Sequence, residues 1–176
     1  MGVLNVTPDS FHDGGKYTST DAALSRAETM AGEGADIIDI GGESTRPGSE
    51  GVSGEEELAR VVPVIREIRK RLDIPLSIDT TKALVARAAL AEGASMVNDI
   101  SGLKFGAGIA EAAAEYGAAM VLMHTSSHPC DMQEKTEYES LIDDIIESLR
   151  ESMRKASAAG VREENIIIDP GFGFGK

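Results

Sequence analysis

"AGEGADIIDIGG", residues 31–42, decides the fold. A helical stretch closes at Gly34, a small residue follows, and then comes an apolar, strand-like run. The phrase returns as "LAEGASMVNDIS" at 90–101, "AAEYGAAMVLMH" at 113–124 and "ASAAGVREENIIIDPG" at 156–171. Gly34, Gly93, Gly117 and Gly160 stand where each helix should stop, because glycine takes the left-handed position after a helix without a Cβ clash. The runs behind them are short and nearly continuous in Ile, Val and Met, as strands buried on both faces require.

Between these runs the period changes to that of a helix. Leu58, Val61, Ile65, Ile68 and Leu72 form one apolar stripe, and Leu141, Ile145, Leu149 and Met153 form another. Ser53 with Glu56, and Thr136 with Glu139, have capping-box spacing at the two helix starts. The pattern predicts strands near 1–6, 35–41, 74–79, 95–100, 118–124 and 165–169, joined by helices. Such an α/β chain winds either into a doubly wound sheet or into a TIM-type (β/α)8 barrel. Two features select the barrel. No strand is followed by a G-x-G-x-x-G fingerprint opening a helix. Polar residues also collect at the C-terminal ends of the strands: Asn5, Asp39, Asp79, Asn98 with Asp99, His124 and Asp169. In a barrel those ends converge on one mouth. A complete barrel usually takes ~250 residues, so these 176 residues are expected to form a single domain of about six βα units.

The composition narrows the function classes. A hydrophobic content of 41% with 27% charged residues suits a globular domain with a core. A formal charge of −13 excludes a nucleic-acid surface, which needs clustered Lys and Arg. The acids of "GEEELAR" and "YESLIDDIIES" read as solvated helix faces. No apolar run approaches the ~18–20 residues of a membrane span, so no membrane partner is expected. Cys130 is the single cysteine, which leaves no disulfide framework or cysteine metal cluster and favours a reducing cytoplasm. "MGVLNVT" has Val6 where a myristoylation signal needs Ser or Thr, and reads as a strand.

The closing "DPGFGFGK" is not a phosphate loop, because Pro170 stands where a Walker motif needs its first glycine. Each polar strand end has a bland reading beside a functional one. Asp79 either caps the next helix or faces the mouth, and Thr80 or Thr81 is an equally good cap. Asn98 is either a satisfied structural amide or a ligand contact. Asp169, before Pro170, either forms a local Asx-turn or meets ligand. His124 is either a structural histidine or a base, and His12 and His128 sit in loops without an assigned role. Two carboxylates and a carboxamide around one mouth suit a flat heterocycle that offers N–H donors. Arg46, in the loop "GGESTRPGSEGVS", suits a phosphate, and Asn5 can give one oxygen to a hard cation such as Mg²⁺.

These motifs, in this order, resemble the dihydropteroate synthase family of pterin-binding enzymes. "MGVLNVTPDSFHDGG" resembles its first-loop motif and "DIGGESTRPGS" its second, and "SIDTTK", "VNDISG", "LMH" and "DPGFGFGK" resemble its successive strand ends. The resemblance implies a (β/α)8 barrel that condenses 7,8-dihydropterin pyrophosphate with p-aminobenzoate, releasing pyrophosphate. It implies that Asp79, Asn98 and Asp169 hold the pterin and carry the chemistry, with Ile100 and Met123 walling the pocket. Asn5 would contact a Mg²⁺–pyrophosphate group. Thr45, Arg46 and Pro47 would belong to a loop over pyrophosphate and p-aminobenzoate, and Phe174 would line the p-aminobenzoate pocket.

The resemblance also implies two further βα units, carrying a Ser-Arg-Lys segment and an Arg and a His. The chain is therefore expected to be a piece of such an enzyme, cut at its start and after its sixth strand, and weak or inactive alone. It is compatible with a homodimer for the longer form. Two other readings are a non-catalytic pterin-binding module and a methyltetrahydrofolate:corrinoid methyltransferase-type domain, against which "STRPG" and "GFGFGK" argue.

Overall fold

The computed structural model describes residues 1–7, 19–44, 51–126, 140–174 and 176. Strands and helices alternate: β1 (Gly2–Asn5), α1 (Ser19–Gly32), β2 (Ile38–Gly41), α2 (Gly54–Arg71), β3 (Leu76–Asp79), α3 (Ala83–Ala91), β4 (Met96–Asp99), α4 (Ile109–Glu115), β5 (Ala119–Met123), α5 (Leu141–Ala158) and β6 (Ile166–Asp169). Gly34, Gly93, Gly117 and Gly160 all take positive φ, between 62° and 105°, as the repeated phrase required.

The sheet order is β1-β2-β3-β4-β5-β6, with every neighbouring pair parallel. Each strand lies beside the next in sequence, which is the winding of a TIM-type barrel; a doubly wound sheet reverses direction partway. The register sorts the side chains into two faces, because alternate residues of a strand point to opposite sides. Leu4, Ile40, Ile78, Val97 and Met120 form one cross-strand row, all buried in the core shared with the helices. The opposite face carries the row Asn5, Gly41, Asp79, Asn98, Val121 and Ile167. Two residues further along β5 and β6, on that same inner face, Met123 pairs with Asp169.

The helix stripes behave as their periodicity requires, with exceptions. In α2, Val61, Ile65 and Ile68 are buried, and the Ser53 side chain accepts from the Glu56 N–H, so this cap stands. Glu57 of "GEEELAR" is not on a solvated face, however. It is fully buried, and its Oε2 accepts from Lys82 Nζ at 2.6 Å. α5 starts at Leu141 after Ser140, with Leu141 exposed and Ile145 and Leu149 buried. Thr136 and Glu139 lie outside the described residues.

Candidate functional site

The polar residues gather where the barrel winding brings the strand C-termini together. Gly41 is the centre of this arrangement. A Cβ built on it would lie 3.5 Å from Asn5 Oδ1 and 3.6 Å from Asp79 Oδ2, ordinary contact distances that place both side chains beside it. Asp79 does not cap the following helix. The Thr80 hydroxyl accepts the Lys82 N–H at 3.2 Å, which leaves the Asp79 carboxylate on the inner face. On β4 the alternation separates two adjacent polar residues. Asn98 faces inward, and its Nδ2 donates to Asp39 Oδ2 at 2.9 Å. Asp99 faces the other way and is buried. Its two oxygens accept the N–H groups of Ser101 and Leu103, both at 2.8 Å. Those bonds hold Leu103 at φ 64°, a left-handed conformation that costs a non-glycine residue about 1–3 kcal/mol. Asp99 is thus a turn-builder, not a mouth residue.

Asp169 closes β6 and forms the Asx-turn, its Oδ1 accepting the Gly171 N–H at 2.7 Å. One carboxylate oxygen is used in this way, and the residue still sits in register with Met123 on the inner face. The bare position at Gly171, at φ 67°, is required because a Cβ there would come within 2.2 Å of the His124 carbonyl and 3.0 Å of Met123 Cγ. Met123 is buried and Ile100, just beyond β4, is half-buried. Phe174 is half-buried in the closing turn, where its N–H donates to Gly171 O at 3.1 Å. Lys176 Nζ ties this turn together by donating to the carbonyls of Gly171, Phe174 and His124. Thr45, Arg46 and Pro47 lie outside the described residues, as do His12, His128 and Cys130.

The electrostatics divide the mouth in two. On the β2–β3 side, burial raises the Asp79 pKa well above the ordinary value, and the charges of Asp39, Glu57, Asp99 and Glu43 raise it further. Asp79 itself is half-buried at the end of β3. Burial also raises the pKa of Asp39, against hydrogen-bonding from Ser77 and Asn98. The Ser77 hydroxyl, opposite Asp39 in the β2–β3 register, lies close enough to act on that charge without full hydrogen-bond geometry. Lys82 meets two acids, Glu57 of α2 and Glu43 at the end of the strand-two loop's first residues. Arg60 donates to Gly42 O at 2.7 Å in the same loop base. On the β5–β6 side, burial and the charges of Lys176 and Lys104 lower the His124 pKa to about 4. A neutral imidazole at pH 7 follows. Burial likewise lowers Lys104, whose Nζ donates to Thr125 O at 2.6 Å.

The pattern of strand ends singles out Asn5, Asp79, Asn98 and Asp169, which lie on one face of the sheet, and assigns no site role to Asp39, Gly41 or the Lys82–Glu57 pair. Asp39 was visible as a polar residue in an apolar run. Its bond to a residue 59 positions away was not. Among the described residues no group of three His, Cys, Asp or Glu side chains could hold a metal ion, and no helix is long and apolar enough to cross a membrane.

Fold and polar row together define the class: a parallel α/β protein of the TIM-barrel type with an acid-rich mouth at its strand C-termini. The family model described as "Pterin binding enzyme" matches residues 1–176, and the chain belongs to that family. It is 52% identical over 176 residues to a dihydropteroate synthase of Clostridium beijerinckii, covering 100% of this chain and 63% of that relative. The structure of Xanthomonas albilineans dihydropteroate synthase with 4-aminobenzoic acid superposes with a TM-score of 0.91 at 44% identity, over 99% of this chain and 62% of that one. The same enzyme in complex with 7,8-dihydropteroate gives a TM-score of 0.86 at 42% identity, over 99% of this chain and 61% of that one. The chain thus spans less than two thirds of the proteins it is similar to.

Proposed function

We propose that this chain forms the pterin side of a dihydropteroate synthase, which joins 6-hydroxymethyl-7,8-dihydropterin diphosphate to p-aminobenzoate and releases pyrophosphate. The observation that carries the reading is the inner row of Asn5, Asp79 and Asn98, with Asp169 beyond it, at one end of the sheet. These groups offer acceptor oxygens to the amino and ring N–H donors of a pterin. Met123 and Ile100 supply apolar walls, and Phe174 an aromatic one toward p-aminobenzoate. Thr45, Arg46 and Pro47 belong to this proposal as the contacts for pyrophosphate and p-aminobenzoate. A single pterin-binding domain over 1–176 and a cytoplasmic setting are part of the same reading; the lone Cys130 supports the setting. A homodimer is a further part of it.

The chemistry follows from the charges. The bond between the pterin methylene and the pyrophosphate oxygen breaks, its electron pair leaving with pyrophosphate. The methylene cation that forms is delocalised into the pterin ring, and ionised carboxylates around the ring favour it. The p-aminobenzoate nitrogen then bonds to the methylene and loses a proton. The residues present fit a magnesium ion carried by the diphosphate. Asn5 Oδ1, beside Gly41, would give it one neutral oxygen, with its other ligands left to phosphate and water. When bound, the ion would neutralise charge on the departing pyrophosphate.

The test is turnover by the longest natural product containing this chain. Pyrophosphate release that requires both dihydropterin diphosphate and p-aminobenzoate is expected. Release independent of p-aminobenzoate, or none at all, would reject the assignment.

A further inference from the structure

Asp39 is a carboxylate on the inner face of β2, only 4% exposed, with Oδ2 on the Asn98 amide nitrogen at 2.9 Å. Its Oδ1 has no hydrogen-bond partner among the described residues. A primary amide such as that of Asn98 can turn half a revolution about its last bond at little steric cost, exchanging donor and acceptor. Shape alone therefore does not decide which end faces a ligand. A partner that distinguishes N–H from C=O does, and an ionised carboxylate can only accept. The bond to Asp39 thus holds the Asn98 nitrogen toward β2 and leaves its carbonyl oxygen to other partners, on the sheet face that also carries Asp79 and Asp169.

We propose that Asp39 is a positioning residue that locks the Asn98 amide with its oxygen toward the mouth and so determines that the pocket takes a ring edge of N–H donors. The inference rests on the pterin reading above and deepens it. A site built of acceptors discriminates strongly, because a ring that brings an acceptor to the same place leaves buried oxygens unpaired. If the lock is removed, the amide can present either end, and discrimination falls while general pocket shape persists.

Two probes separate these effects: 6-hydroxymethylpterin, and its 2,4-diamino analogue, which replaces the ring 3-position N–H donor with an acceptor. Their affinities are measured by calorimetry on the longest natural product and on its Asp39→Asn variant, which keeps the volume but can pair with either end of an amide. The native protein is expected to prefer the pterin, and Asp39→Asn to shrink that preference about tenfold. An equal loss for both probes, or an unchanged preference, would overturn the inference. A native protein that binds neither probe overturns the pterin reading itself, and the inference with it. A second measurement does not depend on the variant folding. In native protein labelled on asparagine side-chain nitrogen, one Asn98 amide proton should exchange slowly with solvent; two protons exchanging at the solvent rate would contradict the lock.

Discussion

At the scale of single residues, the mouth concentrates carboxylates that would be costly to ionise together. Asp79 has its pKa raised well above the ordinary 3.8, first by burial and then by four neighbouring acids. A raised folded-state pKa means that the favourable protonated form is fully present below the unfolded value and is lost as pH rises through the folded one. Asp79→Asn lacks this loss, so the variant is expected to gain in melting temperature over the native protein as pH is raised from 4 to 7. Parallel melting curves across that range would refute the account of the acidic cluster. The same substitution should weaken pterin binding at least tenfold, because it replaces an acceptor oxygen with a donor. His124 has the opposite sign. Its pKa is lowered from 6.5 to about 4, so stability is complete above 6.5 and falls as pH drops toward 4. His124→Gln should abolish most of that loss in urea titrations at pH 7 and pH 4.5. Asn5, Asp79, Asn98 and Asp169 were legible in sequence because a polar residue stands out at the end of an apolar strand. Asp39, inside the run "DIIDIGG", was equally polar, but its meaning depended on Asn98 across the sheet, which local pattern does not encode.

At the scale of elements, helices, strands and their stops were readable because each repeats the same local physics. Glu57 was not. In a run of three glutamates its burial depends on Lys82, contributed from the turn between β3 and α3. Lys82→Met would leave Glu57 buried and uncompensated, with an expected loss of about 3–5 kcal/mol in chemical denaturation. Adding Glu57→Gln to that variant should restore part of the loss; no restoration would show that the pair is not coupled. Loop glycines give a second contrast. A Cβ on Gly106 would fall 1.8 Å from the Thr81 carbonyl, so Gly106→Ala must push the β3 and β4 loops apart. Gly32, within α1, has nothing within 4 Å of the same atom. Gly32→Ala is expected to stabilise by about 0.5–1 kcal/mol, and Gly106→Ala to destabilise by more than about 2 kcal/mol. Equal effects of the two in thermal unfolding would contradict the loop geometry.

At the scale of the whole molecule, the barrel winding was legible from the order of strands and from where their polar ends fall. What the apolar residues of the outermost strands meet was not. Val3 and Ile167, on the inner face at the two edges of the sheet, are 57% and 45% exposed, and Ile168 on the outer face of β6 is 53% exposed. Apolar side chains on unpaired edge strands promote association. The 176-residue polypeptide by itself is therefore expected to self-associate in sedimentation experiments, and Ile168→Lys to reduce this; a monodisperse monomer would count against it. The central claim is that the inner row at the strand C-termini receives a pterin. Its most direct test is a crystal structure of the longest natural product with 7,8-dihydropteroate. The account requires the pterin ring within hydrogen-bond distance of Asp79, Asn98 and Asp169, with the Asn98 nitrogen still on Asp39. A ring bound elsewhere, or one that leaves these three side chains untouched, would contradict it.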